Sequence, residues 1–170
     1  MIHHCNSCGS RTTRRIESYR YKESGLSNVV LHGVELRTCA KCGEQEITLP
    51  RMIPLHRAIA EAIVNSPGKL TGEQFRYLRK HLGLSGEDIG KYLHTDRTKI
   101  SKWERGEDPI GPASDRLMRM VASTLDSSLR RRASSVARNL PNIADRPGSD
   151  WELHVDPQGE VSFVPIAHAA

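Results

Sequence analysis

All four cysteines of the chain fall in two Cys-x-x-Cys pairs, Cys5/Cys8 and Cys39/Cys42. Two residues between thiols let one short turn present both sulfurs to one ion, and two such turns supply a tetrahedral set of four thiolates. In a reducing compartment disulfides lose to metal binding, so the expected cofactor is one structural Zn²⁺. Four protein ligands leave no open coordination position for a catalytic water. His3, His4 and His32 are alternative donors in type, but with four cysteines in register they are expected to face solvent.

A second chemical element lies further along, in Asp96-Arg97-Thr98-Lys99-Ile100-Ser101-Lys102-Trp103-Glu104-Arg105-Gly106. A 100° step per residue from an Asp96 N-cap puts Ile100, Trp103 and Glu104 on one side and Thr98 and Lys102 on the other. Lys99, Ser101 and Arg105 flank that outer face, and Arg97 lies at its N-terminal end, where recognition helices meet base edges. Lys and Arg donate to guanine O6 and N7, and Thr meets thymine with its methyl group. The bland alternative is a solvated helix face.

The elements that position these residues follow from local pattern. Residues 11–21 and 29–37 alternate enough, with β-branched and aromatic content, to read as strands around a Gly25 turn, making a zinc ribbon. Met52, Leu55, Ile59 and Ile63 form a helical stripe, with Pro50 and Pro54 near its start and Ser66-Pro67-Gly68 at its end. Thr71 caps a helix with Phe75, Leu78 and Leu82 inward, and Gly83 stops it. Ser85 caps a short helix carrying Ile89 and Leu93, and a last helix over about 113–125 turns Leu117, Val121 and Leu125 inward. Beyond it, residues 127–138 read as a basic helix around Arg130-Arg131-Arg132, whose solvated face is the simplest reading. Residues 151–155 and 160–165 read as a β-hairpin that should pack on its own dimer or on a partner. The expected fold class is α+β: a four-cysteine zinc ribbon at 1–48, a connecting helix at 49–66, an all-α helix-turn-helix domain at 67–125, and an extension with basic helix and β-hairpin at 126–170.

Composition is compatible with this without deciding it. The 170 residues are 37% hydrophobic with a net charge of +5, a balance shared by many proteins that bind no nucleic acid. No run approaches a membrane span, and the first residues lack a signal-peptide pattern, so a cytoplasmic, nucleoid-associated protein with no membrane partner is expected. No nucleophile-base-acid order, phosphate-cradling loop or open metal site is legible, which argues against an enzyme.

Leu82-Gly83-Leu84-Ser85 followed by Ile100-Ser101-Lys102-Trp103-Glu104-Arg105-Gly106 resembles the Cro/C1-type (XRE) helix-turn-helix. The order of knuckles, helix and helix-turn-helix is similar to the MqsA antitoxin family with its YgiT-type zinc finger, as are Tyr19 to Tyr21, Val30-Leu31-His32-Gly33 and Cys39-x-x-Cys42-Gly43-Glu44. The resemblance covers residues 5 to about 125. It implies a zinc domain that engages a cognate toxin and a C-terminal domain that dimerises on a palindromic double-stranded operator and represses its own operon. It also implies base reading by Arg97, Thr98 and Lys102, and a structural ion pair between Arg79 and Glu104. Three positions depart from the pattern. His94 stands where the turn usually has Gly, Gly86 replaces a common Gln, and Lys102 stands where Arg is frequent and lacks its planar fork. The alternative is a stand-alone XRE-family regulator without a toxin.

Overall fold

The computed structural model describes residues 3–49, 52–147 and 151–166. Strand β1 (Thr12–Arg20) pairs antiparallel with the long β2 (Val29–Cys39), and β3 (Gln45–Thr48) pairs with the Cys39 end of β2. The β1–β2 register slips between Glu17 and Tyr19, because β2 carries one extra residue opposite Ser18. Gly33 takes up this bulge at φ 67, a conformation that glycine adopts without a Cβ penalty. Six helices follow among the described residues. They are α1 (Met52–Val64), α2 (Gly72–His81), α3 (Gly86–Leu93), α4 (Arg97–Arg105), α5 (Pro112–Leu125) and α6 (Ala133–Asn139). The molecule is therefore α+β, with a sheet at the cysteine end and a helical half beyond it.

Two short strands divide the helical half from what flanks it. β4 (Gly68–Lys69) follows α1 and pairs parallel with β5 (Ala144–Pro147) from the C-terminal part. The hairpin expected near the end is present as β6 (Trp151–Val155) and β7 (Val161–Pro165). It was expected to pack on a dimer mate or a partner, but β6 instead pairs parallel with β2 of the same chain, Val29 opposite Leu153 and Leu31 opposite Val155. The reason is an unpaired stretch of β2: β3 occupies only Glu35–Thr38, so residues 29–31 had open backbone donors and acceptors. Side chains then hold the hairpin in place. Ser18 Oγ lies 2.8 Å from His32 Nδ1, His32 Nε2 lies 2.7 Å from His154 Nδ1, and Glu152 lies within 3.2 Å of His154 and 2.5 Å of Arg20. Pro157 of the hairpin turn packs against Gly33, where any Cβ would collide with its ring.

The buried side chains form one connected cluster from Tyr21 to Val155, running from the sheet through Leu55, Ile59 and Ile63 of α1 into the helices. Within it α5 departs from expectation. Leu117 and Leu125 are exposed at 43% and 42%, and the inward residues are Asp115, Met118, Arg119, Val121 and Ala122. An apolar i, i+4, i+8 series fits two phases of a helix, and here the buried phase is set by an ion pair that hydrophobic periodicity does not register. Met52, the first member of the α1 stripe, is likewise exposed at 44%. Pro54 sits in the first turn of α1 and Pro50 lies outside the described residues. The basic segment begins as a single 3-10 turn at Arg130–Arg132 before α6. Arg132 pairs with Glu61 at 2.5 Å and Arg130 donates to the Thr124 carbonyl.

Arg119 is completely buried. Its Nε donates to Asp115 at 2.7 Å, Nη1 to the carbonyls of Ile63, Val64 and Ser66, and Nη2 to that of Gly68 at 2.6 Å. The other Asp115 oxygen accepts the Leu70 amide at 2.6 Å. At the end of α1 the Asn65 amide serves the Glu61 and Ala62 carbonyls and the Ser66 amide that of Ile63, and the guanidinium adds a bond to Ile63 and reaches Val64, Ser66 and Gly68. Arg119→Met is expected to cost about 3–5 kcal/mol, because it leaves the buried Asp115 charge without its cation and takes the guanidinium donors from the interior carbonyls of Val64, Ser66 and Gly68. Urea unfolding followed by circular dichroism checks this, and a loss under about 1 kcal/mol would show that water replaces the guanidinium.

Candidate nucleic-acid interface and metal centre

The two cysteine pairs occupy equivalent turns. In each, the glycine after the second cysteine donates its amide to the first cysteine's carbonyl at 2.9 Å, Gly9 to Cys5 and Gly43 to Cys39. Each of these glycines has positive φ, 69 and 75. The first cysteine's own amide is bound by the next residue's carbonyl, Ser10 at 2.8 Å and Glu44 at 2.9 Å. β2 carries the second turn at its end and β1 starts just after the first, so their pairing brings the turns together. Thr12 is opposite Cys39.

The four Sγ atoms lie within 4.8 Å of one another, with Cys5 to Cys42 at 3.6 Å and Cys8 to Cys39 at 3.5 Å. A tetrahedron with metal–sulfur bonds of about 2.3 Å has edges of about 3.8 Å, so the arrangement fits one ion. The Ser10 hydroxyl pulls the Cys8 thiol down to about 6. The Glu44 amide also acts to lower Cys42, but hydrogen bonds with the other three sulfurs push that thiol up to about 12. Four thiolates at this spacing need a cation among them. The three histidines weighed as donors lie elsewhere: His3 and His4 are exposed, and His32 is engaged with Ser18 and His154.

The second site is built by α2, α3 and α4. Thr71 and Ser85 each close a capping box, with Gln74 and Asp88, and the Asp96 carboxylate accepts the Lys99 amide at 2.8 Å. Between α3 and α4 the chain turns through His94 at φ 51, ψ 50, the one non-glycine residue with positive φ among those described. Gly90 makes this turn tight, since a Cβ there would stand 2.5 Å from the Thr95 carbonyl. Gly72 plays the same part at the start of α2, where a Cβ would collide with the Trp103 carbonyl. α4 is pressed inward by Ile100 and Trp103, the latter edge-on to Phe75 at 5.7 Å. Glu104 forks with Arg79 at 2.5 and 3.0 Å, and Arg79 also donates to the Leu84 carbonyl. Both side chains are only 14% and 12% exposed, so the pair ties α2, the α2–α3 turn and α4 together.

With those contacts inward, the outer face of α4 is set. Arg97, Thr98 and Lys102 are exposed, and neither cation forms an ion pair with any described residue. The stem of Arg97 lies over Gly86, whose missing side chain leaves that space. The flanking residues are engaged. Lys99 pairs with Asp108 at 3.0 Å, and Arg105 forks onto Glu107 at 2.5 and 2.8 Å while also donating to Ser101 Oγ. These contacts lower both carboxyls, Asp108 through Lys99 and Glu107 through Arg105. The sequence reading passed over Glu107 and Asp108. Their signal was an acidic pair directly after the Gly106 stop, where the chain doubles back on the helix it has just left.

Residues 75–130 match the helix-turn-helix family. This segment is an XRE-type helix-turn-helix domain. Domains of this class bind DNA and are typically not enzymes. No curated protein and no solved structure matches the chain. No helix among the described residues is long and apolar enough to cross a membrane.

Chelation provides the test of the metal centre. A strong chelator is expected to collapse amide chemical-shift dispersion for the cysteine turns and the strand ends beside them, within residues 3–12 and 36–49, while the helical circular dichroism signal largely survives, because those turns bury little apolar surface of their own whereas residues 21–34 share the core with α1. Unchanged shifts in those segments would mean that the cysteines hold no structural metal.

Proposed function

We propose that the chain is a sequence-specific transcriptional repressor that binds a palindromic operator as a homodimer, and that it serves as the antitoxin of a type II toxin–antitoxin pair. The observation that carries the DNA-reading part is the exposed Arg97, Thr98 and Lys102 face on a helix whose inner side is locked by Trp103 and the Arg79–Glu104 fork. In this reading Arg97 and Lys102 donate to base edges or to the phosphates beside them, and Thr98 contacts a thymine methyl. Lys99, Ser101 and Arg105 then flank the groove.

Two features support the antitoxin part. The order of cysteine turns, connecting helix and helix-turn-helix resembles MqsA-type antitoxins. The cysteine-bearing sheet also offers a surface for a partner. β1 is an edge strand of nine residues with exposed Ile16 among Arg14, Arg15 and Arg20, and its outer side has no strand partner among the described residues. Such an edge accepts an extended segment through main-chain hydrogen bonds. The ion held by Cys5, Cys8, Cys39 and Cys42 is Zn²⁺ in this account, structural in role, and the protein works in the cytoplasm at the nucleoid.

Lys102→Ala is expected to weaken binding to the operator by about 1–3 kcal/mol and to relax the preference at one base position, leaving random-duplex binding nearly unchanged. Fluorescence anisotropy on an operator and its single-base variants measures both. The toxin is sought by affinity purification from the native host, with mass spectrometry and a growth test of any small co-purifying protein. Growth arrest relieved by co-expression of this chain supports the antitoxin role. Recovery of operator DNA and the protein's own dimer alone would instead establish a stand-alone regulator.

A further inference from the structure

The recognition segment is electrically neutral. Residues 96–108 carry the cations Arg97, Lys99, Lys102 and Arg105 and the same number of carboxylates, Asp96, Glu104, Glu107 and Asp108. Asp96 is committed to capping α4 and Glu104 to Arg79. Glu107 and Asp108 have no such inward duty. They follow Gly106, which ends α4 at φ 72 and turns the chain so that both carboxylates come back to the two cations flanking the reading face.

The geometry resembles that of a phosphate contact. Arg105 grips Glu107 with two parallel bonds, Nε to Oε1 at 2.5 Å and Nη2 to Oε2 at 2.8 Å, the fork it would otherwise offer to a phosphodiester. Lys99 Nζ meets Asp108 as a point charge at 3.0 Å. The side chains are 51% and 50% exposed in the first pair and 44% and 32% in the second, so water and salt screen both. Pairs this exposed add little to stability and exchange readily. They are too weak to serve as staples and are well placed to compete with DNA.

We propose that Glu107 and Asp108 are specificity-determining residues: internal phosphate mimics that occupy Lys99 and Arg105 until a matched duplex displaces them. This rests on the reading of α4 as the DNA-contacting helix. Non-specific binding draws almost wholly on phosphate charge, so withholding two cations weakens it most. In a matched site the base contacts of Arg97, Thr98 and Lys102 seat the helix, bring phosphates to the flanks and offset the exchange. The consequence is a larger ratio of operator to random affinity than four cations on a bare helix would give.

The experiment uses the full-length, metal-loaded protein. An operator is first enriched from a random duplex pool by the wild type, and affinities for operator and random duplex are then measured by anisotropy across a salt series. E107Q/D108N keeps the side-chain shapes and removes both charges. It is expected to bind random duplex about tenfold or more tighter at 0.1 M salt, with a salt slope steeper by up to about 0.9 for each freed cation, and with a reduced operator-to-random ratio. Adding K99A/R105A to that variant should return the random-duplex slope to the wild-type value, whereas K99A/R105A alone should barely move it. The control E23Q/E160Q makes the same charge change away from α4 and from the cysteine turns and should leave the slope unaltered. An unchanged slope in E107Q/D108N, or an equal gain in E23Q/E160Q, overturns the inference while leaving the helix as a DNA reader. A wild type that enriches no sequence brings down the DNA-reading assignment itself, and this inference with it.

Discussion

The end of α1 presents carbonyl groups that no helical amide can reach, in the interior, next to a Pro-Gly turn that supplies few donors of its own. Arg119 enters the core and donates to the carbonyls of Ile63 and Val64 at that end and of Ser66 and Gly68 just beyond it, and Asp115 neutralises it while accepting the Leu70 amide. A buried charge is tolerated only when its partner and all of its hydrogen bonds are in place. The constraint is therefore mutual: α5 must present Asp115 and Arg119 inward, and α1 must end where the guanidinium can reach. Because α1 packs into the cluster shared with the sheet, and α5 into that of the helical half, this one side chain sets how the cysteine-bearing half meets the helix-turn-helix.

Other contacts reinforce that junction. Glu73 at the start of α2 accepts both the amide and the hydroxyl of Ser27 from the β1–β2 connection, at 2.8 and 2.7 Å. His56 of α1 meets the Tyr21 hydroxyl at 2.9 Å, and its carbonyl accepts from Tyr77 of α2. The C-terminal segment crosses back to pair β5 with β4 and β6 with β2. The cysteine-bearing sheet and the helix-turn-helix are thus joined by polar contacts and strand pairing at several points.

The α4 face shows how the same economy works on a surface. Inward, Trp103 and the Arg79–Glu104 fork fix the helix in position. Outward, Lys99 and Arg105 are held in ion pairs, while Arg97 and Lys102 form none with any described residue and Lys102 only lies in the field of Glu107 and Asp108. Burial separates the two kinds of ion pair: the Arg79–Glu104 pair is largely withdrawn from water and acts structurally, while the flanking pairs remain wet and exchangeable.

Much of this was legible from residue type and spacing, because the signals are local. The two Cys-x-x-Cys-Gly turns, the caps at Thr71, Ser85 and Asp96, the Gly83 and Gly106 stops and the left-handed His94 each depend on a few neighbouring residues, so the chain by itself determined the cysteine turns and the helix boundaries of the helix-turn-helix. Its hydrophobic pattern did not determine which face of α5 turns inward, since of Leu117, Val121 and Leu125 only Val121 is buried, and the choice belongs to Arg119, a charged residue that such patterns assign to solvent. Nor did it place the terminal hairpin, whose partner strand β2 lies more than a hundred residues away in sequence and was open only because β3 is short. Tertiary structure alone decided these points, and likewise the pairing of Lys99 and Arg105 with the acids beyond Gly106. Each is a competition among distant or alternative partners for one unsatisfied group, settled by which geometry leaves none of them buried and unpaired.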